Sequence, residues 1–238
     1  MESRAVADFL SMAGELIRPS SEAVCAHARR VMVVPGFGGS DGYTRFLRTH
    51  LNRLGYLSEG WGLGNNSGGE GLRGDVDFFE VPEKYRNSRE IAVPLLSMRL
   101  RERLRQRVDE TGEPFTLIGH SLGGYLAREV TRQAPDLVTQ LITVGAPVYG
   151  GPKYTAAAGI YQARGVNMDW IESVIIEREK ILITRPITTV VSRTDGVVGY
   201  EAAIDRNQPH AKLVEVNASH AGMLFNRRIW AILVHALQ

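Results

Sequence analysis

The stretch that most constrains the fold is PFTLIGHSLGGYLAREV, residues 114–130. An apolar run from Phe115 to Ile118 leads directly into a glycine-flanked serine, after which Tyr125, Leu126 and Val130 recur at helical spacing. The pattern predicts a strand, a sharp turn and a helix. Within it GHSLG fits GxSxG, where Gly119 and Gly123 remove side chains that would clash as strand and helix crowd the turn. Ser121 is therefore a candidate nucleophile at the top of a sheet, and the backbone N–H of Leu122 is a candidate oxyanion donor at the helix start. The plain alternative is a serine in an ordinary loop, but the flanking strand and helix favour the nucleophile.

The other strands are short apolar runs: Arg30 to Val34, residues 56–63, Leu141 to Val144, Ile187 to Val191 and Lys212 to Val216. With the elbow strand they make six, and 238 residues suffice for one domain with a full core. Helical periodicity separates them: Phe46, Leu47, Leu51 and Leu54; then Leu96, Leu100, Leu104 and Val108; and a closing helix over Leu224 to Leu237. The expected fold is α/β, a mostly parallel six-stranded sheet with helices on both faces. Val6, Phe9, Leu10, Ala13, Leu16 and Ile17 predict a further amphipathic helix at about 2–18 that packs on the sheet; a dimer contact or an anchor at a lipid interface is the alternative, the latter disfavoured by the lack of a basic polar face.

Two stretches break the rhythm. Residues 65–87 are rich in Gly, Asn and Asp and too long for a routine connection, so they form either a pocket-side loop or an excursion. Residues 148–180 begin at the carboxyl end of a strand, where open α/β sheets bind ligands, and are expected to form a small helical cap. Its aromatic residues Tyr149, Tyr154, Tyr161 and Trp170 are the substrate-binding candidates, and they predict a preference for longer acyl chains.

Composition excludes several classes. A net charge of +2 with 23% charged residues argues against nucleic acid as a partner, and the arginines between Arg99 and Arg107 are spread around their helix. Cys25 is the single cysteine, so neither an intrachain disulfide nor a thiolate metal cluster can form. No HExxH or phosphate-loop pattern occurs, and no metal or other cofactor is expected. The absence of a signal-like leader or a membrane-length apolar run points to the cytoplasm.

A serine needs a base and an oriented base needs a carboxylate, in the order Ser, acid, His after such an elbow. Asp195, after the fifth strand, and His220, after the sixth, satisfy that order at strand ends. Asp169 and Asp205 are the fallback acids. His210 precedes the last strand, and the ring of His120, beside the serine, is not expected to reach round the turn. His27, His50 and His235 are expected to be surface or packing residues. The turn PGFGGSDGY after the first strand, with Gly36, Gly38 and Gly39, offers the second oxyanion donor at Phe37, and Asp41 or Ser40 as a cap for the following helix. A tight turn without chemistry is the alternative there.

With these parts assembled, the chain resembles the α/β-hydrolase superfamily, specifically its lipase and esterase branch, from about Arg30 to the C-terminus. GHSLGG (119–124), SRTDGVV (192–198) and SHAGM (219–223) are similar to that branch's elbow, acid and histidine loops, and PGFGGSD with GWGLGNN is similar to a group of small bacterial hydrolases. The likeness departs at Pro35, where many lipases carry histidine, and in the lack of the superfamily's first two strands. It implies hydrolysis of a small-molecule carboxylic ester through an acyl-enzyme. A thioesterase, amidase or acyltransferase using the same residues, and a non-catalytic ligand receptor on the same fold, remain open.

Overall fold

The computed structural model describes residues 28–238, so the helix expected at about 2–18, Cys25 and His27 lie outside the described residues. Six strands form one sheet: β1 (Arg30–Val34), β2 (Leu57–Gly60), β3 (Phe115–His120), β4 (Val138–Val144), β5 (Ile187–Ser192) and β6 (Lys212–Val216). The order is β2-β1-β3-β4-β5-β6 and every neighbouring pair is parallel. The chain moves outward one way from β1 to β2, then returns to β3 and proceeds the other way. β1 and β3 therefore flank the point where the winding reverses, and their carboxyl ends open a crevice there.

Both faces of the sheet are covered, and β1 shows why its run is continuously apolar. Val31 and Val33 point to a cluster with Leu47 and Leu51 of α1 (Asp41–Arg53) and Trp230 and Leu233 of α8 (Arg227–Leu237). Met32 and Val34 point the other way, to Leu100 and Leu104 of α2 (Ala92–Thr111) and Leu126 and Val130 of α3 (Leu122–Gln133). Period-2 alternation thus feeds two cores rather than a core and solvent. Each such fully buried aliphatic side chain contributes about 1.5–3 kcal/mol.

Several details differ from the sequence reading, beginning with β2, which ends at Gly60 rather than at 63. β4 starts at Val138, because buried Val138 pairs with Phe115 and the outward Thr139 shares a hydroxyl bond with Thr116 at 2.9 Å, so the polar Thr-Gln step does not end the strand. The closing helix is two pieces, α7 (Gly222–Phe225) and α8, because the Asn226 side chain accepts from Arg228 N–H and caps a new helix start. At α1 the Ser40 side chain makes no cap bond, and the Asp41 carboxylate accepts instead from the N–H groups of Trp61 (3.0 Å) and Gly62 (3.2 Å), tying α1 to the end of β2.

Residues 148–180 hold a 3-10 turn and two helices, α4 (Ala158–Ala163) and α5 (Met168–Glu179); α6 (Tyr200–Ala203) follows β5. The loop after β2 docks on α5, with Tyr85 stacked on Trp170 at 4.0 Å and Asn167 Nδ2 donating to Tyr85 Oη at 2.8 Å.

Candidate active site

Ser121 occupies the turn between β3 and α3 at φ 54, ψ −128, a backbone region that side chains disfavour. The surroundings impose it. Ser121 N–H is held by Val144 O at 2.9 Å, and α3 packs so tightly on β3 that a Cβ on Gly119 would fall 2.4 Å from Gly124 Cα. A Cβ on Gly123 would fall 2.4 Å from the carbonyls of Val34 and Pro35. The glycines of GHSLGG are thus the condition for the serine's placement.

His220 follows β6, and its Nδ1 lies 2.8 Å from Asp195 Oδ2 in the loop after β5. Since a carboxylate only accepts, Nδ1 carries the proton and Nε2 is left as a lone pair. Asp195 Oδ1 in turn accepts from Val197 N–H (2.8 Å) and Val198 N–H (2.9 Å). Burial raises the Asp195 carboxyl, but the His220 hydrogen bond, its charge and the two N–H groups outweigh that and hold it below the usual carboxylate range. The two loops are stitched together by Ser192 Oγ, which donates to Ala218 O at 2.8 Å, and by Thr194 Oγ1, which donates to the same carbonyl at 3.1 Å.

One cavity of about 260 Å³ is lined by Ser121, His220, His120, Tyr43 and the turn Gly36, Phe37, Gly38 and Gly39. Close approach of that turn requires Gly36, since a Cβ there would meet Ser121 Cβ at 2.9 Å. Within the turn, Gly38 N–H goes to Asn66 O and Gly39 N–H to Gly36 O; among the described residues Phe37 N–H has no hydrogen-bond partner. Leu122 N–H, first in α3, has none within its helix. The Phe37 and Leu122 side chains converge at Gly68, where an added Cβ would lie 3.3 Å and 3.7 Å from them. Burial pushes the Tyr43 hydroxyl up to about 12, so it stays protonated beside the cavity.

The structure brings Ser121, His220 and Phe37 to this cavity, with Asp195 behind His220. It does not bring the cap aromatics there: Trp170 is taken by Tyr85, Tyr149 and Tyr154 stack on each other at 6.3 Å and are partly exposed, and Tyr161 lies elsewhere on α4. The acyl-chain preference expected from them finds no support in the lining. Of the fallback acids, Asp169 pairs with Lys153 at 2.8 Å and Asp205 with Arg128 at 2.7 Å, neither reaching His220. His210 bonds to Arg185 O at 3.2 Å, and His50 is buried against Trp230.

Sequence reasoning missed two residues here. The ring of His120, passed over as a base, is tied to the histidine loop, its Nε2 lying 3.0 Å from His220 O. Asn66 is fully buried against the Gly36–Gly39 turn, and its only signal was the asparagine pair in GLGNN. Among the described residues no group of three or more His, Cys, Asp or Glu side chains is disposed to hold a metal ion, and no helix is long and apolar enough to cross a membrane.

An all-parallel sheet with a strained serine at its winding reversal, facing a carboxylate-held histidine, has the architecture of an α/β-hydrolase-fold protein. The chain belongs to the PGAP1-like alpha/beta domain family, which matches residues 96–230. Solved structures similar to it include one described for LipS and LipT, two metagenome-derived lipolytic enzymes (20% identity, TM-score 0.59, covering 91% of this chain and 94% of that one). Others are the thioesterase domain from the curacin biosynthetic pathway (16%, 0.56, 91% and 93%) and the monoacylglycerol lipase of Paleococcus ferrophilus (16%, 0.54, 87% and 94%). At these identities the likeness is one of fold. No curated protein sequence matches the chain.

Proposed function

We propose that the protein is a serine hydrolase that cleaves carboxylic esters through an acyl-enzyme. Ser121 Oγ attacks the acyl carbonyl as His220 Nε2 takes its proton, and Asp195 stabilises the imidazolium that results. The N–H groups of Phe37 and Leu122 receive the oxyanion. Collapse expels the alcohol, protonated by His220, and water repeats the sequence to release the acid and restore the serine.

The observation that carries this reading is the convergence of Ser121, at its strained φ of 54, and His220, bonded to Asp195 at 2.8 Å, on one cavity. Strain of this kind costs about 1–3 kcal/mol and persists where it serves a site.

The test is a p-nitrophenyl ester panel from acetate to palmitate, run with Ser121→Ala alongside and with matched thioester and amide substrates. Serine-dependent ester hydrolysis is expected, together with labelling of Ser121 by a fluorophosphonate. Thioester or amide turnover exceeding ester turnover would reassign the substrate, and a folded protein that neither turns over nor labels would refute the reading.

A further inference from the structure

Glycine-rich turns rotate their peptide planes at little cost, so a donor carried by Gly36-Phe37-Gly38-Gly39 must be held from outside. The loop after β2 supplies the hold. Asn66 donates Nδ2–H to Pro35 O at 2.8 Å and its main-chain N–H to Gly39 O at 2.8 Å, while its carbonyl accepts Gly38 N–H at 2.8 Å. Its Oδ1 accepts Gly68 N–H at 3.1 Å, which fixes the rotamer. Asn65 faces two carbonyls and presents its side-chain NH2 to both, Gly38 O at 2.7 Å and Gly39 O at 3.1 Å.

These contacts, with the Gly39 N–H bond to Gly36 O at 3.0 Å, occupy the polar groups on either side of Phe37 and leave its N–H without a partner among the described residues. Turning the Gly36-Phe37 peptide over would break the Gly36 O bond, and the anchored flanks oppose it. We infer that Asn66, assisted by Asn65, is a positioning residue that holds the Pro35–Gly39 turn with the Phe37 N–H free for a developing oxyanion. The inference rests on the ester-hydrolase reading above.

Donors fixed in advance act on the transition state, so their loss falls on kcat rather than KM. In the full chain, Asn66→Ala, Asn66→Asp and Asn65→Ala are compared with wild type on the best ester of the panel. An alkylboronic acid, whose serine adduct mimics the tetrahedral intermediate, is titrated in parallel. A kcat loss of roughly 10- to 100-fold for Asn66→Ala is expected, with KM within about twofold and boronate affinity falling by a similar factor. Asn65→Ala, at an exposed position, should give a smaller loss of the same kind.

Should Asn66→Ala fail to fold, the other two variants carry the test: Asn66→Asp keeps the main-chain bonds and the acceptor for Gly68 but loses the donor to Pro35 O. Unchanged kcat in the folded variants, or an effect on KM alone, overturns the positioning role while the ester-hydrolase reading stands. A wild type inactive on esters and unlabelled by fluorophosphonate overturns that reading and this inference with it.

Discussion

The imidazole of His120 lies against that of His220, ring centroids 4.7 Å apart, and donates its Nε2–H to the His220 main-chain carbonyl at 3.0 Å. The residue next to the proposed nucleophile therefore supports the proposed base. Its Nδ1 is buried without a hydrogen-bond partner among the described residues. Burial, followed by the charge of neighbouring His220, pushes the His120 ring down to about 3.

The stability consequence has a definite sign. Above about pH 6.5 His120 is neutral both folded and unfolded, and its contribution is constant. Between there and about pH 3 only the unfolded chain takes up the proton, so stability falls with acid by about 1.4 kcal/mol per pH unit. Unfolding free energies from urea titrations at pH 7 and pH 5 should differ by about 2 kcal/mol less in His120→Asn than in wild type. Equal pH sensitivity in the two proteins would refute the account.

Asp195→Asn separates orientation from loop structure. The amide oxygen can still accept from Val197 and Val198 N–H, but its NH2 meets His220 Nδ1 and forces the wrong tautomer. Turnover should drop by about 10³–10⁴-fold at nearly unchanged KM and thermal midpoint. Asp195→Ala should lose the same activity and, with two N–H groups deprived of their acceptor, about 1–3 kcal/mol of stability besides. Steady-state kinetics with thermal unfolding distinguish the two.

Gly145 lies beneath the acid-base pair at φ 54, where a Cβ would come 2.6 Å from Met223 Cε, 3.1 Å from Asp195 Oδ2 and 3.4 Å from His220 Nδ1. Gly145→Ala should cost about 1–3 kcal/mol and at least about tenfold in kcat, since the pair is displaced. Gly112, at φ 74 after α2 with open space around it, is the control. Gly112→Ala should lose about 1–2 kcal/mol and no activity.

Much of this architecture is legible in sequence because the physics is local. β1 reads as a strand because both faces are buried, and GHSLGG reads as an elbow because only glycines permit the contact between Gly119 and Gly124. Asp195 and His220 could be nominated since strand ends of a parallel sheet share one edge. What stayed hidden depends on contacts between distant segments. Asn66 meets Pro35 across 31 positions, and Asp41 looks like a helix cap until β2 brings Trp61 N–H to it. The place of Trp170 was hidden for the same reason: Tyr85, far upstream, claims it.

The least legible feature is a buried charge network between α3 and α5. Arg128 is fully buried and bonds to Asp205 at 2.7 and 2.8 Å and to both Glu179 oxygens; Arg132 reaches Glu179 at 2.8 Å and also pairs with Glu129, which Arg178 meets at 3.0 Å. Burial raises the Glu179 carboxyl, yet the Arg128 hydrogen bond and charge and those of Arg132 prevail and hold it below the usual range. Its contribution is accordingly present above the unfolded glutamate range near pH 4.5 and is lost as acid takes the pH down through the folded value. Arg128→Met would leave the buried Asp205 carboxylate without its partner and Glu179 with Arg132 alone, at a cost of about 3–5 kcal/mol. Replacing all three by apolar residues, Arg128→Met with Glu179→Leu and Asp205→Leu, removes both carboxylates that Arg128 served but leaves Arg132 and Arg178 to share Glu129, so it should recover part of that loss. Urea unfolding of the single and triple variants measures it, and trypsin cleavage around Arg164 and Arg178 should rise in the single variant alone if the network fastens α5 to the elbow helix. A triple variant no more stable than the single would mean that geometry, rather than uncompensated charge, sets the cost.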